Sequence, residues 1–524
     1  MSDSPLEVTC SMDESTPLPP DLKPVDSKGA GYFQRLRANY GIRYLILLSL
    51  CSHWTKGFCR MQTLYSLRYL FQEWNLSGPQ LDVFASVVEI PWAMKPLIAV
   101  CSDLFPVLGL RKTPYMLATS VVGLAGLCLA SFVRSDAVPA EVPLAGLFLA
   151  NIGWMTCNLL VDGISAQRIA AKPESGPDLI LFQSMGQQIT FFVSMVISGV
   201  VIDRMQGIGG LSGAQWNISL CILPSALLLY PVCENFIGEA PVQKIERKWT
   251  RLVTASILVG SGSVGFAIAC FLIKDLVVQV VVTITILGVV TFICTRLESS
   301  QKGRIVAFLA IVCLFTSLSV SGPAHYFFTD SKTQYPDGPH FEPWFWLSIC
   351  GLSGAVAGML SSLLVLSRKA REFNYRFLFT ILLILGAAIS SSDSLIFSRV
   401  TARWGIPDHA FVVVGTILSG AVGPFLGMPT SLLLSRLCPY EESMMFSILS
   451  SAANLAQLSG GPVTALLCVA FKLTPDGGPY DESSKFENLW ICNLVTSVLK
   501  VVPLAFIFMV PDITLIDPLV TPST

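Results

Sequence analysis

The run Glu89-Ile90-Pro91-Trp92-Ala93-Met94-Lys95-Pro96, continuing through Asp103 to Tyr115, sets ionisable side chains inside an otherwise apolar stretch. A charge at the centre of a bilayer costs about 2.5–3.5 kcal/mol on insertion scales, so Glu89, Lys95 and Asp103 survive there by facing a polar cavity or one another. Pro91 and Pro96 remove backbone donors and can break the helix that carries them, exposing carbonyls of the preceding turn. Trp92 lies between them with a flat face for stacking. The bland alternative is an ion pair that only fixes helix packing.

A second group lies upstream. His53, Lys56 and Arg60 stand at i, i+3 and i+7, one face of an α-helix, and would form a cationic strip suited to an anionic substrate. The alternative is that Arg60 snorkels to an interface. Downstream, Asn151-Ile-Gly-Trp154-Met155 leads to Asp162 within an apolar window, with Arg168 near its end. Gln183 and Gln187, four residues apart, present one amide row for substrate contact or for interhelical hydrogen bonding. Further on, Asp393 sits in a Ser-rich run, and burial would raise its carboxyl affinity for a proton. His325, after Gly322-Pro323, reads as a packing residue. Arg436, Asn454 and Gln457 complete the polar set of the second half.

The elements that position these residues are membrane spans. Of the 524 residues 52% are hydrophobic and 13% charged, with mean hydropathy +0.64, whereas soluble proteins carry about 25% charged residues. The net charge of -1 argues against a nucleic-acid partner. None of the 15 cysteines forms a CxxC pair, so neither metal nor disulfide framework is expected, and no cofactor. HExxH, GxSxG, Walker and dinucleotide motifs are absent, which disfavours an enzyme and a self-powered pump.

Apolar windows near 43–66, 80–105, 113–133, 143–166, 179–202 and 215–236 predict six spans, followed by a pair at 252–273 and 275–295. Six more follow at 304–328, 344–367, 376–397, 409–434, 442–471 and 487–510. The expected organisation is a disordered cytosolic tail (1–40), a six-helix bundle (41–238), a linker with an inserted, lipid-facing helix pair (239–302), a second bundle (303–510) and a cytosolic tail (511–524). Six-helix halves are the repeat of the major facilitator fold. With the N-terminus inside, roughly twenty cations against nine fall on inside segments, which places both termini in the cytosol. Asn75-Leu76-Ser77 and Asn217-Ile218-Ser219 are sequons on expected outside loops, and they point weakly to the plasma membrane.

These residues resemble the folate–biopterin transporter family of the major facilitator superfamily, in its enlarged protist-type form. The first block is Pro91-Trp92-x-x-Lys95-Pro96-Leu97, then Ser102-Asp103 and Gly109-Leu110-Arg111-Lys112 to Tyr115. The second is Asp162-Gly163 through Ala166-Gln167-Arg168. The third is Met428-Pro429, Ser435-Arg436-Leu437-Cys438-Pro439, Glu442 and Asn454. Ala99 stands where the family usually has Gly, and Gln167 where it often has Glu. The resemblance implies an all-α polytopic carrier with about 12–14 spans that imports folate or unconjugated pterins such as biopterin, coupled to protons. It assigns Asp103 and Arg111 to a gating turn and makes Asp162, with Asp393, a proton-coupling candidate. Lys56, Arg60, Glu89, Trp92, Lys95, Trp154, Asp162 and Gln187 are the expected substrate contacts: a carboxylate for the pterin edge, an aromatic for its face and cations for the glutamate tail. A carrier of another metabolite such as S-adenosylmethionine, or a non-transporting sensor on a carrier fold, is the alternative.

Overall fold

The computed structural model describes residues 31–172, 175–239, 250–297, 300–365, 374–437 and 443–512. The expected tails before residue 31 and after 512, the basic run Ser367–Arg371, and Cys438, Pro439 and Glu442 lie outside the described residues. So does most of the linker, residues 240–249.

Every extended element among the described residues is helical. The first, α1 (Tyr32–Tyr40), falls in the stretch expected to be disordered. It is ordered by burial of Leu36 and Tyr40 and by Arg35, whose Nε donates to Asp178 at 3.1 Å. The second helix, α2, spans residues 42–72 as Ile42–Leu48, a π-helical stretch Ser49–Cys59, and Arg60–Gln72. Then come α3 (Gly78–Leu104), α4 (Thr113–Phe132), α5 (Glu141–Ala171), α6 (Gly176–Arg204) and α7 (Gly213–Cys233). The pair α8 (Arg251–Leu272) and α9 (Leu276–Leu297) follows. The chain ends with α10 (Lys302–Thr329), α11 (Trp344–Ser362), α12 (Tyr375–Phe397), α13 (Asp408–Leu437), α14 (Ser443–Ala470) and α15 (Ser483–Met509).

Among the described residues, twelve of these are long and apolar enough to cross a membrane. α2 and α13 are equally long rods. α2 is excluded from the twelve by its own polar side chains, several of which line the central cavity. The chain is a multi-pass membrane protein, as expected.

We call the end of the bundle that carries the 73–77 turn distal, and the end that carries the Gly109–Lys112 turn proximal. The distal ends of α2 and α3 press against α10 and α14. A methyl group on Gly322 would overlap the carbonyl oxygen of Gly78, and one on Gly78 would come within 2.7 Å of the Pro323 nitrogen. Gly78 N–H donates to Pro475 O at 2.8 Å, and the Tyr326 hydroxyl donates to Leu76 O at 2.5 Å. His325 packs edge-on against Tyr69 in the same seam, with ring centroids 4.7 Å apart, in keeping with its packing assignment. Small residues at these crossings let backbones approach closely, the usual means of helix association in lipid.

The pair α8–α9 shows the expected apolar surface, with Val277, Val281, Val289 and Phe292 exposed. It is nonetheless more than peripheral. Ser263 on α8 donates to Ala93 O at 3.0 Å, and Gly260 packs directly on Leu97, so α8 braces the broken part of α3.

Candidate functional site

Pro91 and Pro96 act as the sequence predicts. α3 runs as α-helix from Gly78 to Glu89, becomes 3-10 helix over Ile90–Ala93 and restarts at Lys95. The carbonyls freed by the break are answered from outside the helix. Ala93 O takes the Ser263 hydroxyl, and Trp92 O takes Asn454 Nδ2 at 3.1 Å, from α14 in the opposite half. Trp92 is buried with its Nε1 donating to Asn151 Oδ1 at 3.1 Å.

A cavity of about 500 Å³ lies against this break, between α2 and α3 on one side and α10 and α14 on the other. Its size falls within the range of about 300–1,000 Å³ usual for small-molecule sites. Lys56, Arg60, Glu89, Trp92 and Lys95, five of the expected contacts, line it together. Asn454 and Gln457 face them, with Ser317, Ser319 and Ser321. The Arg60 guanidinium grips the Glu89 carboxylate through both Nε (3.0 Å to Oε2) and Nη2. It also lies 4.6 Å from the centroid of the Trp92 ring, with Lys95 Nζ 5.1 Å from the same ring. No ion pair holds Lys56 or Lys95 among the described residues, so the cavity retains positive charge beside an aromatic face.

Two cavity residues stand out only once the chain is folded. Arg68 lies past the apolar window 43–66, among the cations counted to the outside loops, and Asp82 lies inside the window 80–105 without an assigned role; both line the distal end of the cavity. Arg68 Nη2 is 3.7 Å from Asp82 Oδ1 and donates to Ser321 Oγ at 3.0 Å, while Ser321 Oγ donates to Asp82 Oδ1 at 2.8 Å. A signal for Arg68 does exist: the helical pattern of α2 runs unbroken past it to Gln72, which keeps it inside the rod.

Other expectations need correction. His53 does not join Lys56 and Arg60 on one face. The π-helical turn is wider than an α-turn, so a spacing of three no longer aligns; His53 points at α6, its Nε2 3.0 Å from Phe182 O. Trp154 is buried within the first half, its Nε1 donating to Ser225 Oγ at 3.0 Å, and does not line the cavity. Gln187 lies where α6 packs on Gly57, also off the cavity lining. Asp162 accepts from Gln183 Nε2 at 2.6 Å and is outside the lining. Asp393 sits on α12, 3.8 Å from where a Gly415 side chain would begin, again away from the cavity.

Asp103 and Arg111 both lie at the proximal turn, with no ion pair between them among the described residues. The turn is held instead by Glu239, whose carboxylate accepts Arg111 N–H (2.7 Å), Lys112 N–H (2.9 Å), Thr113 N–H (2.9 Å) and Thr113 Oγ1–H (2.9 Å). A carboxylate on the free N–H groups that open α4 is favoured by hydrogen bonding and by the helix dipole. Burial lowers the ammonium pKa of Lys112, against the opposing pull of Asp103 and Glu239. Arg168 ties this end together, donating to Tyr40 O and Ile237 O and lying 3.8 Å from the Tyr44 ring centroid.

Of the two sequons, Asn75 is exposed in the distal turn. Asn217 is buried, its Nδ2 donating to Ser66 Oγ at 2.8 Å, because α7 begins at Gly213 and carries the asparagine inward.

The profile of the BT1 family matches residues 56–522. "Probable folate-biopterin transporter 2" of Arabidopsis thaliana is 23% identical over 90% of this chain and 85% of its own length. "Folate-biopterin transporter" of Synechocystis is 22% identical over 89% of this chain and 81% of its own. "Folate transporter 1" of Plasmodium falciparum is 20% identical, covering 87% and 76%. Among solved structures, a POT family transporter in complex with 5-aminolevulinic acid superposes with a TM-score of 0.61 at 14% identity, covering 88% of this chain and 97% of that one. The nucleoside transporter NupG superposes at 0.59 and 14%, covering 89% and 99%. The fold is thus the two-halved carrier architecture of the major facilitator type.

Proposed function

The chain belongs to the BT1 family, and on that premise we propose that it carries folate or unconjugated pterins such as biopterin across a membrane by proton-coupled alternating access. The observation that carries the substrate reading is the cavity wall itself, where Trp92 lies beneath Arg60 and Lys95 with Lys56 nearby. A pteridine ring stacks on an aromatic face, and a glutamate tail needs cations that are not already spent on carboxylates. Arg60 holds Glu89 in place for the amino-pyrimidine edge of the ring.

The closed distal seam supports alternating access. With the halves locked there by Gly78, Gly322 and Pro323, substrate exchanges from the proximal side, and release of the seam would expose the cavity to the distal side. The positive charge of the loops and the exposed Asn75 sequon support the plasma membrane with both termini cytosolic. S-adenosylmethionine, a sulfonium cation, is disfavoured by a wall with four cations and two carboxylates.

Uptake of labelled folate and labelled biopterin, by cells without their own pteridine carriers, tests the reading. At about pH 5.5 and about pH 7.5 we expect saturable uptake of at least one compound, faster at the lower pH. No uptake of either, with the chain present at the surface, overturns it; uptake of S-adenosylmethionine instead would replace it.

A further inference from the structure

We propose that Asp82 is the proton-binding carboxylate of this carrier, and that Arg68 alternates between Asp82 and an anionic group of the substrate. The inference rests on the reading of the chain as a proton-coupled carrier and names the groups that would do the coupling.

Two carboxylates line the cavity, and they are held differently. Glu89 has both oxygens on one guanidinium, which keeps it occupied. Asp82 has no bidentate partner: a guanidinium contact at 3.7 Å, the Ser321 hydroxyl and the nearby Gly322 N–H are what face it. It is buried, so its charge depends on those few partners. Arg68 for its part has a buried Nε with no acceptor among the described residues, a donor left over for a ligand.

The position of Asp82 links binding to movement. It lines the cavity from α3, while its hydroxyl partner Ser321 belongs to α10 in the opposite half and lies beside Gly322, the residue that closes the distal seam. The groups that face it are Arg68 from α2, with His325 of α10 behind Arg68, and the Cys468 and Cys492 thiols from α14 and α15. A proton from bulk water that adds to a carboxylate oxygen of Asp82 makes it neutral and releases Arg68. The guanidinium then pairs with a substrate carboxylate, so proton and anion each raise the affinity for the other by the same factor. Deprotonation reverses the exchange and returns Arg68 to Asp82.

The test uses the purified full chain in proteoliposomes with labelled folate, measuring uptake driven by a pH gradient and, separately, exchange at equal pH. Wild type is expected to show both. Absence of both in wild type overturns the folate reading, and the anion handover with it. Asp82→Asn is expected to lose gradient-driven uptake at least about tenfold while keeping exchange within about threefold. An Asp82→Asn chain whose uptake follows pH as wild type does overturns the assignment while leaving folate transport intact. Should that variant lose exchange as well, Ser321→Ala decides. Removing the donor favours the protonated acid, and the pH midpoint of uptake should rise by about one unit; an unmoved midpoint overturns the proposal. Asp393→Asn should keep the wild-type pH profile, and loss of that profile would transfer the role to Asp393.

Discussion

The two walls of the cavity are built from different chemistry. α2 and α3 contribute every ionisable lining residue: Lys56, Arg60, Arg68, Asp82, Glu89 and Lys95. α10 and α14 contribute hydroxyls and amides, namely Ser317, Ser319, Ser321, Asn454, Gln457 and Thr464. Under the proposed alternating access the difference matters, because the halves would have to part. Separating a buried ion pair across a moving interface would leave charges uncompensated, at about 3–5 kcal/mol, whereas a neutral hydrogen bond is worth about 1 kcal/mol. All charge pairing in the wall is therefore internal to one half, and the seam between halves is crossed by weaker bonds such as Ser321 to Asp82 and Asn454 to Trp92.

This asymmetry predicts a graded response to substitution. The largest effect should come from Arg60→Ala, which strands Glu89 in the cavity wall; uptake per surface molecule should fall by about 100-fold or more. The double variant Arg60→Ala/Glu89→Gln should recover part of that loss, and no recovery would mean that the two do not act as a pair. Next comes Gly322→Val, which prevents the distal halves from meeting. Uptake should fall about 30-fold while folate binding to the purified chain changes by less than about threefold. Equal losses of binding and uptake would assign Gly322 to folding instead.

Lys95→Ala should raise the KM for folate about tenfold and that for biopterin by less than about threefold, since only folate carries carboxylates for the cation. On the neutral wall, Gln457→Ala should change either KM by no more than about fivefold. A larger effect there would break the contrast between the walls.

The smallest expected effect concerns stability in the distal loops, where the second half does carry charge. Burial, then the neighbouring Glu482 and Asp476, push the Asp330 carboxyl up to about 8. The folded pKa exceeds the unfolded value, so this group's contribution to stability is fully present below about pH 4 and is lost as pH rises through about 8. The melting temperature should fall by a few degrees across that window, and Asp330→Asn should flatten the fall.

The broken α3 and its charges are legible in the sequence because prolines and ionisable residues together in an apolar run mark a kinked helix that faces a polar cavity. The span positions follow from length and apolarity alone. Three features are not legible in this way. A π-helical turn leaves no mark in a spacing rule, so the i, i+3 pattern puts His53 on a face it does not share. Arg68 falls just past the apolar window 43–66, although the helix continues through it, and nothing in the spacing of Asp82 within the window 80–105 pairs it with Arg68. Glu239 looks like the first residue of a polar linker, and only the fold brings it to the N–H groups of Arg111, Lys112 and Thr113. The burial of Asn217 is within reach of the sequence, because Ser212 and Gln215 form a capping box that starts α7 earlier than the apolar window does.

The contact of Ser263 with Ala93 has a mechanical consequence. α8 packs on the break in α3 along one side and presents Leu258, Ile268 and Leu272 on its surface. A helix that adjusts its tilt to the thickness of the bilayer thereby bears on the backbone that sets the position of Trp92 and Lys95. The cavity wall is thus seated on a strut whose outer face is apolar, so bilayer thickness would act on the cavity's geometry through α8.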